Sequence, residues 1–310
     1  MNGLIPSPPP LLRVEGLCKD YTAGASFVGA RTVLRAVDGV SFSLERGETL
    51  GLVGESGSGK STVARCVMQL ERPTGGRVVL NGQDLVGMGP SALRPLRKVM
   101  QIIFQDPYSS LNPRMTVGRF VADPMIIHEG KIPREALAQR VRALFAKVGL
   151  DARHISRYPH EFSGGQRQRV CIARALALSP QLIVADEPIT ALDVSIQAQI
   201  INLLQRLQDE QGLAYLFISH DLGMVRHICH RVAVMLRGLI VETGPADAIF
   251  QDARHPYTQA LLSATLEADP GRERTKTRLF FDAAQREGQA AGFMKEVTPG
   301  HFVREYAPSR

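Results

Sequence analysis

Gly54-Glu55-Ser56-Gly57-Ser58-Gly59-Lys60-Ser61-Thr62 fits the pattern G-x-x-x-x-G-K-[ST], and the residues on either side supply the context that this pattern needs. Residues 48–53 (Glu-Thr-Leu-Gly-Leu-Val) read as a buried strand, and residues 62–70 read as a helix. A strand, a glycine loop and a helix in that order make a cradle for phosphate. Glycine lets successive backbone N–H groups turn inward with no Cβ in the way, and the helix N-terminus behind them carries roughly half a positive charge. The cradle predicted here is Gly54, Ser56, Gly57, Gly59, Lys60, Ser61 and Thr62. Lys60 is expected to reach the β- and γ-phosphates of a nucleoside triphosphate, and Ser61 to ligate the Mg²⁺ that bridges them. The plain alternative is a surface glycine loop that matches by chance, and the flanking strand and helix argue against it.

The chain has 310 residues, 44% of them hydrophobic and 22% charged, an ordinary balance for a globular protein with one large or two modest cores. No apolar run approaches the roughly 18 residues needed to span a bilayer, so work at a membrane would require other chains to make the crossing. Residues 1–10 lack a basic start and a continuous apolar stretch. They read as a disordered leader, which points to the cytoplasm. The cysteines Cys18, Cys66, Cys171 and Cys229 show no C-x-x-C pair and no histidines at ligand spacing, so buried small hydrophobes are expected, not a zinc or iron–sulfur site. The net charge of +7 is spread along the chain, with a mild cluster at Arg272, Arg274, Lys276 and Arg278, and it does not argue for nucleic acid.

Outward from the loop, residues 12–15 and 33–44 alternate as strands, and Tyr21 lies between them. An aromatic there can stack on adenine or pin a hairpin. Residues 77–80 and 97–104 read as further strands, the second ending at Gln105, which either reaches toward Mg²⁺ and the attacking water or simply closes the strand. Residues 113–159 turn helical, cut into segments by Pro124 and Pro133, and read as an insert in an α/β core. Ser163-Gly164-Gly165-Gln166 ahead of a helix at 170–178 is a second potential anion cradle. Two half-sites in one chain serve either different nucleotides or one nucleotide held between two chains. Residues 181–188 form an apolar strand running into Asp186 and Glu187, carboxylates that need a cation to offset their burial. Asp186 is expected to hold Mg²⁺ and Glu187 to polarise the attacking water. After a helix over 195–211 and a strand over 214–219, His220 stands at a strand C-terminus, the ligand side of an α/β sheet.

Taken together, GESGSGKST (54–62), Gln105, FSGGQ (162–166), LIVADEP (182–188), Ala191-Leu192-Asp193 and His220 resemble the ATP-binding subunits of ABC transporters in kind and order. The stretch 104–117 (FQDPYSSLNPRMTV), residues 191–199 (ALDVSIQAQ), residues 255–262 (HPYTQALL) and Thr298-Pro299-Gly300-His301-Phe302-Val303 narrow the resemblance to oligopeptide/dipeptide and nickel importers. The resemblance implies an α/β P-loop NTPase cassette with an N-terminal antiparallel β subdomain, a RecA-like core and an inserted helical subdomain. It places that cassette at residues 11–265, with the insert at about 106–165 and an importer-type extension at 240–310. It further implies a head-to-tail dimer with ATP between the phosphate loop of one subunit and Ser163, Gly164, Gly165 and Gln166 of the other. Gln105 and Asp186 would attend Mg²⁺, Glu187 would be the general base, His220 would sense the γ-phosphate and Asp193 would lie at the seam. The implied partners are a second ATPase (a paralogue or a second copy), two transmembrane permeases at the cytoplasmic face of the inner membrane and, indirectly, a solute-binding protein. Phe162 and Arg119 depart from the usual pattern, and the residues after Pro270 read as a weakly packed tail. The competing class is an ABC-type ATPase acting on DNA or ribosomes. It is disfavoured by the short link between Lys60 and Ser163, which carries no sustained heptads, and by the presence of a single cassette.

Overall fold

The computed structural model describes residues 9–23, 32–190, 192–264, 279, 281 and 292–306. In chain order the strands are β1 (Leu12–Ala23), β2 (Thr32–Leu44), β3 (Thr49–Val53), β4 (Gly75–Leu80), β5 (Gln83–Asp84), β6 (Met100–Ile103), β7 (Leu182–Asp186), β8 (Ala214–Ser219), β9 (Arg231–Leu236), β10 (Leu239–Pro245), β11 (Gly292–Thr298) and β12 (His301–Tyr306). The helices are α1 (Lys60–Val67), α2 (Pro90–Val99), α3 (Pro107–Ser110), α4 (Val117–Glu129), α5 (Arg134–Lys147), α6 (Gly164–Leu176), α7 (Val194–Gln211), α8 (Leu222–Ile228), α9 (Ala246–Gln251) and α10 (Pro256–Ala264). Most of the leader, the basic cluster at 272–278 and Ala191 lie outside the described residues.

The main sheet runs β11-β12-β10-β9-β3-β8-β7-β6. Its half from β9 to β6 is parallel, and β10, β12 and β11 add to it antiparallel. Side chains alternate across a strand, and here both sides are covered, which is why the sequence of the central strands is apolar without a break. Leu182, Val184, Leu216 and Ile218 join one cluster with α1 and the separate antiparallel sheet β2-β1-β4-β5. Ile183, Ala185, Tyr215 and Phe217 face the other way and join a second cluster with residues of α4, α5, α6 and α7. Helices thus seal one side, while α1 and a second sheet seal the other. This is an α/β cassette with an antiparallel β layer and helices between β6 and β7, as the resemblance implies.

Three sequence expectations differ from the structure. Residues 97–99 close α2 instead of opening a strand, because Arg97 and Lys98 suit a helix C-terminus and Met100 N–H still bonds to the Leu96 carbonyl. The strand is only the four residues Met100–Ile103. Pro124 does not cut the helical region: α4 runs through it, one backbone bond short, held by buried Phe120, Val121 and Met125. Pro133 does end a segment, as the N-cap of α5. The end of the tail is ordered into the main sheet, though β11 has no buried residue. β11 and β12 form a hairpin about a turn at Gly300 (φ 74°), and β12 pairs with β10, burying His301 against Glu242 with Nε2 to Oε1 at 2.8 Å.

The two departures from the family pattern fit without strain. Phe162 is buried, and Arg119 pairs with Asp123 one helical turn on at 2.9 Å.

Candidate functional site

Four parallel strands end on the same edge of the sheet and deliver four pieces of the site, as an α/β sheet does at its carboxyl ends. β3 leads into the loop 54–59, β6 into Gln105, β7 into Asp186 and Glu187, and β8 into His220. A cavity of about 650 Å³ lies there, lined by the loop and by Gln105, Glu187, Thr190 and His220. That volume suits a small-molecule ligand.

The loop keeps its shape through glycine at two close approaches. A Cβ on Gly54 (φ 148°) would lie 2.2 Å from the Met235 carbonyl oxygen, and one on Gly59 (φ 104°) would lie 2.3 Å from that of Ala36. Both contacts are with backbone, so no other residue fits without moving a strand. Lys60 opens α1 and is 4% exposed. Its Nζ donates to the carbonyls of Gly54 (2.8 Å) and Glu55 (2.7 Å) and to Ser58 Oγ (3.2 Å). Burial lowers its pKa, and the nearby carboxylates of Glu187, Asp186 and Glu55 oppose that shift.

Ser61 Oγ donates to Asp186 Oδ1 at 2.9 Å, linking α1 to the end of β7. Burial pushes the Asp186 carboxyl above its ordinary range against the pull of that hydrogen bond, and neighbouring Glu187 pushes the same way. Glu187 sits in the left-handed region (φ 47°), rare for a non-glycine residue, and its N–H is fixed to the Ile218 carbonyl at 3.0 Å. That backbone turn sends the side chain back over the strand ends. There Glu187 Oε2 accepts from Gln105 Nε2 (2.9 Å) and Thr190 Oγ1 (3.2 Å), with His220 Nδ1 at 3.3 Å. Oxygen donors on half-buried Ser61 and buried Asp186, with the Gln105 amide nearby, fit a hard cation such as Mg²⁺. Such a cation takes few protein ligands and shares the rest with phosphate and water. Among the described residues no set of three or more His, Cys, Asp or Glu side chains is grouped to hold a metal by itself.

The structure therefore gathers Gln105, Glu187 and His220 beside the phosphate loop, with Asp186 on Ser61. It does not bring Ser163, Gly164, Gly165 or Gln166 there: they are not among the cavity's lining residues. They form the start of α6, closed by a reciprocal cap in which Gln166 N–H donates to Ser163 Oγ (3.4 Å) and Ser163 N–H to Gln166 Oε1 (3.0 Å). Tyr21 stands on β1 opposite Leu34, donates its hydroxyl to Glu71 and lies under Lys19 Nζ at 5.0 Å from the ring centre. It does not line the cavity. Sequence reasoning missed Ala36, Thr190 and Leu261 as lining residues. Thr190 lay two residues beyond the Asp-Glu-Pro run, and Leu261 lay in the HPYTQALL stretch quoted only for its likeness to other chains.

A phosphate loop closing one parallel strand, with a histidine closing the adjacent strand and paired carboxylates closing the next, defines a P-loop nucleoside triphosphatase. Residues 37–190 match the family model described as ABC transporter, and residues 241–285 match the oligopeptide/dipeptide transporter, C-terminal region. The oligopeptide transport ATP-binding protein OppF of Bacillus subtilis (strain 168) is 51% identical over 281 residues, covering 89% of this chain and 92% of that protein. The glutathione import ATP-binding protein GsiA of Escherichia coli (strain K12) is 49% identical over 303 residues, which is 96% of this chain and 48% of GsiA. The chain thus spans about half of that relative's length. A solved dimer of the ATP-binding cassette MJ0796 in a post-hydrolysis state, bound to ADP and Pi, matches with a TM-score of 0.67 at 29% identity, over 76% of this chain and 98% of that one. The chain belongs to the ATP-binding proteins of ABC transporters, in the branch carrying the oligopeptide/dipeptide C-terminal region, and it is an ATPase.

Proposed function

We propose that this chain drives uptake of oligopeptides or dipeptides through a membrane channel formed by two permease subunits, working as one of two paired cassettes. The reading rests on one observation above all: Gln105, Thr190 and His220 converge on Glu187 Oε2 beside a buried lysine and a glycine loop. The backbone N–H groups at Gly54, Ser56, Gly57, Gly59 and Thr62 cradle the phosphates of ATP, and Lys60 exchanges its loop carbonyls for phosphate oxygens. Ser61, Asp186 and Gln105 hold Mg²⁺, which supplies charge neutralisation at the β- and γ-phosphates. Glu187 orients and deprotonates the attacking water, with Gln105 and Thr190 fixing its carboxylate, and His220 touches the γ-phosphate. Tyr21 lies outside the cavity's lining, but its side chain reaches Thr62 of the loop, and from there it would stack on adenine. Ser163, Gly164, Gly165 and Gln166 face the nucleotide of the partner cassette, a second copy or a paralogue. Closing the pair on ATP and reopening it after hydrolysis is the motion that switches the permeases.

The chain divides in this reading into a cassette over 11–265 with a helical insert at about 106–165, and a carboxy-terminal extension over 240–310. It lies on the cytoplasmic face of the membrane, receiving solute through a separate binding protein. Among the described residues no helix is long and apolar enough to cross a membrane, in keeping with permeases on other chains.

Affinity purification of the full chain carrying Glu187→Gln from membranes tests this. Two integral permeases are expected to come with it, the complex binding ATP but turning it over at least about a hundredfold more slowly than the parent, the loss of a general base. Recovery with ribosomes or DNA and no permease overturns the reading, as does parental turnover.

A further inference from the structure

We infer that Tyr257, in the carboxy-terminal extension, is a positioning residue for the phosphate loop, holding Glu55 through a hydrogen bond that belongs to no part of the ATPase machinery described above. The Tyr257 side chain is 2% exposed, and its hydroxyl accepts from Glu55 N–H at 3.0 Å. Glu55 is the second residue of the loop, and its carbonyl holds Lys60 Nζ at 2.7 Å. One peptide unit on from the tyrosine contact is therefore the lysine that meets phosphate. Four residues further along α10, on the same helical face, Leu261 lines the cavity. Burial pushes the Tyr257 phenol up to about 12, so it stays a neutral hydroxyl at any working pH.

The tyrosine is anchored from behind. Glu242 on β10 is fully buried, and its carboxylate accepts from Arg254 N–H (2.7 Å) and His255 N–H (3.1 Å), the two residues leading into α10. The same carboxylate meets His301 Nε2 on β12 at 2.8 Å. His255 Nδ1 accepts from Tyr257 N–H at 3.2 Å, and the Tyr257 ring packs edge-on against Phe281 at 5.5 Å between centres. A buried carboxylate with three donors is a rigid post, because leaving any of them unpaired carries the full cost of a desolvated polar group. The hairpin β11–β12, the strand β10 and the start of α10 are thereby fixed to one another, and the tyrosine hydroxyl carries that fixed frame to the loop. A loop whose amides must point inward binds phosphate more tightly when its shape is set in advance.

The inference rests on the loop being the ATP site, and the test separates the two. ATP binding with Mg²⁺ is measured by calorimetry on the full chain carrying Glu187→Gln, with Tyr257→Phe, Glu55→Pro, both together, and Lys60→Ala. Tyr257→Phe removes only the hydroxyl, and Glu55→Pro removes the N–H at a residue that does not need a positive φ, keeping the carbonyl for Lys60. Loss of one neutral hydrogen bond predicts an ATP Kd raised about three- to tenfold by Tyr257→Phe. In the Glu55→Pro background the same change is expected to move Kd by less than about twofold, because no donor is left to lose. A tyrosine that only fills the core would lower the melting temperature in both backgrounds and leave Kd alone. The inference is overturned if Tyr257→Phe binds ATP within about twofold of the parent, or if it weakens ATP equally in both backgrounds. Undiminished ATP binding by Lys60→Ala would instead reject the loop as the nucleotide site.

Discussion

Asp186 shows what burial does to a single carboxylate. It is 6% exposed, its pKa is raised by burial and by Glu187, and Ser61 is its one hydrogen-bond donor among the described side chains. A folded-state pKa above the unfolded one means that the native protein favours the proton. The contribution to stability is full below the ordinary carboxylate range and is lost as pH rises through the raised value, so at neutral pH the ionised group is a cost in the metal-free chain. Asp186→Asn keeps an acceptor for Ser61 and removes that cost. Without nucleotide the variant is expected to melt about 1–2 °C above the parent near neutral pH, the change that roughly 1 kcal/mol makes in a chain of this size. The gap should close as pH falls toward the carboxylate range. MgATP should raise the melting point of the parent and not of the variant. Thermal melts across pH with and without MgATP check this, and a variant less stable than the parent at neutral pH would show that Asp186 is satisfied by the protein alone.

At the level of elements, much of the design is legible in the amino-acid sequence. Strand β8 falls where the apolar run 214–219 placed it, and β3, β7 and α7 lie within a residue or two of their sequence bounds, because strands buried on both faces and long periodic helices carry strong signals. The strand ends that hold Gln105, Asp186, Glu187 and His220 were legible for the same reason. What the sequence hid depends on contacts between distant segments. The hairpin β11–β12 had a turn signal in Pro299-Gly300 and alternation around it, but its edge partner β10 lies some sixty residues back, and no local pattern names it. The bond from Tyr257 to Glu55 spans 202 residues in the same way. The start of α4 is a third case. Its first N–H groups are capped by another segment, Val117 N–H on the Arg157 carbonyl (2.9 Å) and Gly118 N–H on that of Ile155 (3.0 Å). A Cβ on Gly118 would lie 2.7 Å from the Ile155 oxygen and 2.2 Å from its Cγ2. Helix propensity alone favours alanine there by about 1 kcal/mol, yet the clash forces α4 off its cap, so Gly118→Ala is expected to destabilise the chain by about 1–3 kcal/mol net. A lower urea midpoint at unchanged slope would bear this out, and a stabilised variant would show that propensity wins.

Across the whole molecule, the unanswered chemical question is what the start of α6 is for. Ser163 is exposed, Gly164 half so, and neither is among the residues lining the cavity at the chain's own phosphate loop. The Glu187 and Lys60 side chains, meanwhile, make their hydrogen bonds to residues outside that helix. In the proposed reading this helix end would serve the nucleotide of a second cassette laid head to tail against the first, and Asp193 and Val194, both exposed at the start of α7, would lie at the seam. With Glu187→Gln to prevent turnover, ATP and Mg²⁺ should drive the chain, alone or mixed with its paralogue, from monomer to dimer in sedimentation velocity. Adding Ser163→Arg should abolish that shift, since a bulky cation at the helix N-terminus opposes the dipole and fills the space the γ-phosphate would enter, while each monomer still binds ATP through Lys60. In that reading the two half-sites do not complete each other within one chain, and hydrolysis would be a property of the pair. A monomer carrying Ser163→Arg that hydrolyses ATP at the parental rate would therefore dissolve the argument for a shared site at its root.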